Sequence, residues 1–76
     1  MERFRLPNGT VIVSKRPSGL WWVFYRVKLY GPYRSREEAL DDMSIELILR
    51  GDNTGSNRLL DLARRDLDSG VGELDG

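Results

Sequence analysis

Two turn signals near the start of the chain limit what it can fold into more than any other feature. Asn8-Gly9 stands between Phe4-Arg5-Leu6 and Val11-Ile12-Val13. An Asn-Gly pair flanked by alternating apolar residues predicts a hairpin with a two-residue loop, because such a loop needs φ > 0 and these residues accept it at least cost. Pro17-Ser18-Gly19 then separates residues 10–16 from residues 20–30, which predicts a second hairpin with a three-residue loop. The third run is rich in Trp, Tyr, Phe and Val, as strands are. Gly31-Pro32 ends it. The chain is therefore expected to open as a three-stranded antiparallel meander.

Helix is expected next. Ser35 with Glu38 three positions on is a capping box, and Glu37 and Glu38 suit the positive end of a helix dipole. Leu40, Met43, Leu47 and Ile48 share one helical face, and Gly51 is the C-terminal stop. Residues 52–57 read as a loop. Residues 58–68 read as a second, shorter helix with Leu59, Leu60, Ala63 and Leu67 on one side. Residues 69–76 are rich in Gly and acid and read as a disordered acidic tail after a single domain at 1–68. The expected fold is α+β, a three-stranded antiparallel β-meander packed on one α-helix, with a short C-terminal helix.

The turns also set the register. A loop at Asn8-Gly9 places Leu6 opposite Val11, Phe4 opposite Val13 and Arg5 opposite Ile12. A loop at 17–19 places Arg16 opposite Leu20, Ser14 opposite Trp22, Ile12 opposite Phe24 and Thr10 opposite Arg26. Opposed residues share a face. One face then holds Phe4, Leu6, Val11, Val13, Trp21, Val23, Tyr25, Val27 and Leu29, with Lys15 at its edge, and is the expected core. The other holds Arg3, Arg5, Thr10, Ile12, Ser14, Arg16, Trp22, Phe24, Arg26 and Lys28.

Charge follows the same division. Residues 1–36 carry eight Lys/Arg against one acid, Glu2, a balance of +7; residues 37–76 carry four Arg against eleven Asp/Glu, a balance of −7. The net charge of zero conceals two surfaces of opposite sign. All seven aromatic residues lie in the basic half.

The chemistry that the chain lacks narrows its function. With no cysteine there is no disulfide framework and no thiol nucleophile, and with no histidine the commonest general base and zinc ligand are missing. Glu37/Glu38 and Asp41/Asp42 are neighbours on a helix, diverge by about 100° and cannot converge on one substrate. Asp52-Asn53-Thr54-Gly55 lacks the spacing and terminal Glu of an EF-hand and reads as a turn. Neither an enzyme nor a cofactor or metal is expected. No apolar run approaches the roughly 20 residues of a membrane span, so a cytoplasmic protein without a membrane partner is expected.

The segment from Gly19-Leu20-Trp21 to Tyr30-Gly31-Pro32-Tyr33-Arg34-Ser35-Arg36-Glu37-Glu38-Ala39 resembles the DNA-binding domain of the plant Apetala/ethylene-response type, its phage relatives and the arm-binding domains of tyrosine recombinases. Gly19 and Trp21 match the Gly-x-Trp strand of that pattern. Gly31, Tyr33, Ser35, Glu38 and Ala39 match its Leu-Gly-x-Phe, cap and Glu-Glu-Ala. The resemblance implies a three-stranded sheet that reads DNA and packs on one helix. One departure stands out: those families turn between the Trp strand and the Leu-Gly strand, whereas residues 21–30 here read as continuous. The stretch from Tyr30 to Ala39 also resembles half of a sporulation-related repeat, a glycan-binding module that needs a second half. Both resemblances cover under half of the chain.

The residues that remain are Arg3, Arg5, Arg16, Arg26 and Lys28, with Trp22 and Phe24 among them. The cations suit phosphates or base edges, and the aromatics suit packing or stacking. The first expectation is a small accessory protein that binds DNA or RNA through this face. The second is a small non-enzymatic module, of the sort phage and mobile elements encode, that adapts or inhibits a host protein. Ile45 and Leu49, four residues apart and opposite the core stripe, are covered either by the second helix or by a second copy in a homodimer.

Overall fold

The computed structural model describes residues 1–75 along the backbone and the side chains of residues 1–65. The acidic tail expected at 69–76 and Leu67 of the second helical stripe lie outside the fully described residues. The order is β1 (Glu2–Leu6), β2 (Gly9–Lys15), β3 (Trp21–Tyr25), β4 (Lys28–Tyr33), α1 (Arg36–Leu49) and α2 (Asn53–Asp75). The sheet is a four-stranded antiparallel meander in the order β1-β2-β3-β4, and both helices pack against it.

The fourth strand is the main correction. The run at 20–30 is two strands joined by a two-residue turn at Arg26-Val27, with Arg26 at φ 59. No turn-forming residue marks the reversal: Arg26 takes the left-handed region, at a cost of roughly 1–2 kcal/mol, because pairing of β4 on β3 repays it. Reversing the chain resets the alternation of faces. Val27 leaves the expected core for the tip of the turn, where it is 97% exposed. Leu29 pairs with Phe24 and moves to the open face. Lys28 pairs with Tyr25 and moves to the rim of the core face.

The first turn also sits one residue earlier than expected. Leu6 pairs with Gly9, Phe4 with Val11, Arg5 with Thr10 and Arg3 with Ile12, so the loop is Pro7-Asn8. Pro7 presets φ for the first loop position. Gly9 joins the strand because the ring of Tyr25 crosses it: a Cβ at Gly9 would lie 3.0 Å from Tyr25 Cε1. Pairing shifts by two residues, so every side chain of the hairpin keeps its expected face. The second hairpin has the expected register, with Ile12 on Phe24 and Ser14 on Trp22, closed by Arg16 N–H to the Leu20 carbonyl at 2.9 Å.

Strand-to-helix geometry follows the local chemistry. Ser35 Oγ accepts the Glu38 N–H at 3.1 Å, while the Glu38 carboxylate accepts the Arg34 N–H at 2.9 Å. At the other end of α1, Gly51 (φ 83) permits a Schellman close: Asp52 N–H reaches the Leu47 carbonyl and Gly51 N–H the Ile48 carbonyl. The expected loop at 52–57 is instead the first turn of α2. Asp52 caps it by accepting the Gly55 N–H at Oδ1, 2.9 Å, and the Ser56 N–H at its carbonyl, 3.1 Å. Gly55 and Ser56 are weak helix formers, yet both are buried where α2 turns back along α1. Tertiary burial overrides their propensity.

The core joins Phe4, Leu6, Val11, Val13, Val23 and Tyr25 of the sheet to Ala39, Leu40, Met43 and Leu47 of α1 and Leu59 and Ala63 of α2. Each fully buried aliphatic chain among them contributes about 1.5–3 kcal/mol. Ile48 departs from its expected place and is 51% exposed. Ile45 and Leu49 are exposed as well, so α2 does not cover them. No helix among the described residues is long and apolar enough to cross a membrane.

Candidate functional site

Both helices pack on one side, and no element among the described residues covers the other side of the sheet. Its centre is a row that crosses all four strands: Arg3 on β1, Ile12 on β2, Phe24 on β3 and Leu29 on β4. Phe24 is 42% and Leu29 47% exposed. Toward one end of the sheet the next row is Ser14 and Trp22. Toward the other it is Arg5 and Thr10. No carboxylate side chain falls in these rows among the described residues.

Trp22 is half-buried despite this exposure, and a bulge explains it. Trp21 pairs with Tyr33 but Val23 pairs with Tyr30, so β4 carries one extra residue opposite Trp22. Gly31 lies there at φ 135, and a Cβ on it would meet Trp22 Cε3 at 3.0 Å and the Trp21 carbonyl oxygen at 3.1 Å. The indole therefore rests on bare backbone. The Arg16 guanidinium stands over the same ring, 5.8 Å from its centroid. Arg16, Pro17, Ser18, Trp22 and Leu29 line a shallow groove that joins the β2–β3 turn to the central row.

Five of the seven expected site residues thus share the open face: Arg3, Arg5, Arg16, Trp22 and Phe24. The other two do not. Arg26 sits in the β3–β4 turn and lines a hollow with Asn8, Tyr25, Arg50 and Asp52. Lys28 lies on the helix side of the sheet, its Nζ 5.1 Å from the Tyr30 ring. Arg50 joins that rim, donating to Tyr30 Oη at 2.6 Å and standing 5.6 Å from the Tyr25 ring centroid. Leu29 is the residue the sequence reading missed. One sign was available: a ten-residue strand is long against the usual five or six.

The face is less basic and more apolar than the sequence predicts. Three arginines border an apolar and aromatic centre, which suits a ligand with both negative charge and flat or apolar surface. Among the described residues no group of three or more His, Cys, Asp or Glu could hold a metal ion. Compared with protein-family models, curated proteins and solved structures, the chain matches none of them.

Proposed function

We propose that this chain is a small nucleic-acid-binding accessory protein that uses the open face of its sheet. The observation that carries the reading is the row Arg3–Ile12–Phe24–Leu29, flanked by Arg5, Arg16 and Trp22 and free of carboxylates. Arginines at β1 and at the β2–β3 turn neutralise phosphates, Phe24 offers a flat surface to sugar or base, and Trp22 holds Arg16 in place beside it. The turn at Arg26-Val27 supports the reading further, since the DNA-binding families that the segment resembles turn at the corresponding place. Titration with DNA at two salt concentrations tests it. Affinity should fall as salt rises, and Arg5→Ala should reduce the slope of log K against log salt by about one. Absence of binding at low salt would rule the reading out.

A second reading is favoured by the exposure of Phe24 and Leu29. On that reading the face docks on a host protein and acts as an adaptor or inhibitor. Capture from a host lysate should then recover one stoichiometric protein, lost on Arg5→Glu. For self-association, Ile45, Ile48 and Leu49 form an exposed apolar strip, 54%, 51% and 76% accessible. A homodimer through Ile45 and Leu49 predicts a concentration-dependent mass in sedimentation that Leu49→Glu abolishes.

A further inference from the structure

Resting on the nucleic-acid reading above, we infer that the open face takes unpaired rather than duplex nucleic acid, with a base stacked on Phe24 and phosphates along Arg3, Arg5 and Arg16. The sheet is too wide for a duplex groove. Neighbouring strands lie about 4.8 Å apart, so β1 and β4 are roughly 14 Å apart before side chains are added. A major groove is about 12 Å wide and admits a helix or a two-stranded ribbon. The fourth strand makes this sheet broader than the groove.

The charges are also spaced for single nucleotides. A ribbon of β1 and β2 alone would carry Arg3 and Arg5 into a groove and leave Trp22, Phe24 and Leu29 unused. In the observed arrangement Arg3 lies in the same row as Phe24, two strands away, at roughly 10 Å. A long arginine side chain at that distance meets the phosphate of a nucleotide whose base lies on the phenyl ring. Arg16, held over the Trp22 ring, brings a third cation to the next row of the face. Bases in a duplex have their faces covered by one another and cannot use Phe24, whereas unpaired bases stack on exposed aromatics of four-stranded sheets, two or three at a time.

The test is fluorescence anisotropy at about 50 mM and 200 mM salt, with an oligothymidylate of about twelve nucleotides and a mixed-sequence duplex of equal length. The single strand should bind about tenfold more tightly than the duplex, and Phe24→Ala should weaken it by about fivefold or more. Phe24→Tyr should retain binding. Phe24 is exposed, so its variants should keep the parent melting temperature; should Phe24→Ala melt early, Phe24→Leu removes the ring and keeps the apolar bulk. Duplex binding as tight as single-strand binding, or indifference to loss of the ring, overturns the inference and leaves the nucleic-acid reading standing. Binding to neither probe overturns both.

Discussion

Arg36 holds Glu2 through both carboxylate oxygens, Nε to Oε2 at 2.6 Å and Nη2 to Oε1 at 2.8 Å. The pair joins the first residue of β1 to the first residue of α1. Its side chains are 13% and 28% exposed, and the guanidinium also stands 6.0 Å from the Phe4 ring centroid. In this partly dry setting a bidentate pair is costly to break from one side, since the remaining charge keeps its burial and loses two charge-assisted hydrogen bonds.

Glu2→Gln should therefore destabilise the fold by about 1–3 kcal/mol. Urea denaturation measures the loss. A change within about 0.5 kcal/mol would show the pair to behave as a surface pair does.

The β3–β4 turn predicts a substitution of the opposite sign. Arg26 holds φ 59 with a side chain that disfavours it. Arg26→Gly relieves about 1–2 kcal/mol of strain and loses about 0.5–1 kcal/mol to backbone entropy, for a net gain of at most about 1.5 kcal/mol. A rise in melting temperature checks it, and a fall would mean that the Arg26 side chain stabilises the turn by more than the strain.

Gly31→Ala should do the reverse. The new methyl group meets Trp22 Cε3 at 3.0 Å and the Trp21 carbonyl oxygen at 3.1 Å, at a φ of 135. Backbone cannot give way as a side chain can, so a loss of about 2 kcal/mol or more is expected. Near-ultraviolet circular dichroism should change as well, because the indole must leave its seat.

Tyr33 gives a pH dependence. Its hydroxyl donates to Asp42 Oδ2 at 2.5 Å and joins β4 to α1. Burial first, then that hydrogen bond and the negative charges of Asp42 and Glu46, push the phenol above its ordinary range. The folded state therefore keeps a proton that the unfolded state gives up. This contribution is present in full below about pH 10, the unfolded value, and is lost as pH rises above it. Denaturation midpoints should fall between about pH 10 and 11, and Tyr33→Phe should flatten that fall. An unchanged slope in the variant would remove Tyr33 as the cause.

The open face was largely legible in the sequence because alternation in a strand is a local property. Moving the first turn by one residue shifted the pairing by two and left Arg3, Arg5, Ile12 and Phe4 on their expected sides. Arg26, Val27, Lys28 and Leu29 were misplaced together, from a single cause. Their reversal is made by residues without turn propensity, and the pairing of Tyr30 and Leu29 with β3 enforces it. The start of α2 was hidden for a related reason, since Gly55 and Ser56 favour helix only once they are packed against α1.

Local chemistry suffices for the existence of the first two hairpins, though not for the exact loop of the first, for the capped start and glycine stop of α1, and for the sorting of Arg3, Arg5, Arg16, Trp22 and Phe24 onto one surface. These rest on turn chemistry, capping and a period of two, which act over a few residues. Long-range packing gives the sheet its fourth strand, sets Leu29 beside Phe24 and Trp22 on Gly31, and brings Arg36 to Glu2. Those outcomes depend on contacts between distant segments, where packing and burial outweigh the preference of any one residue.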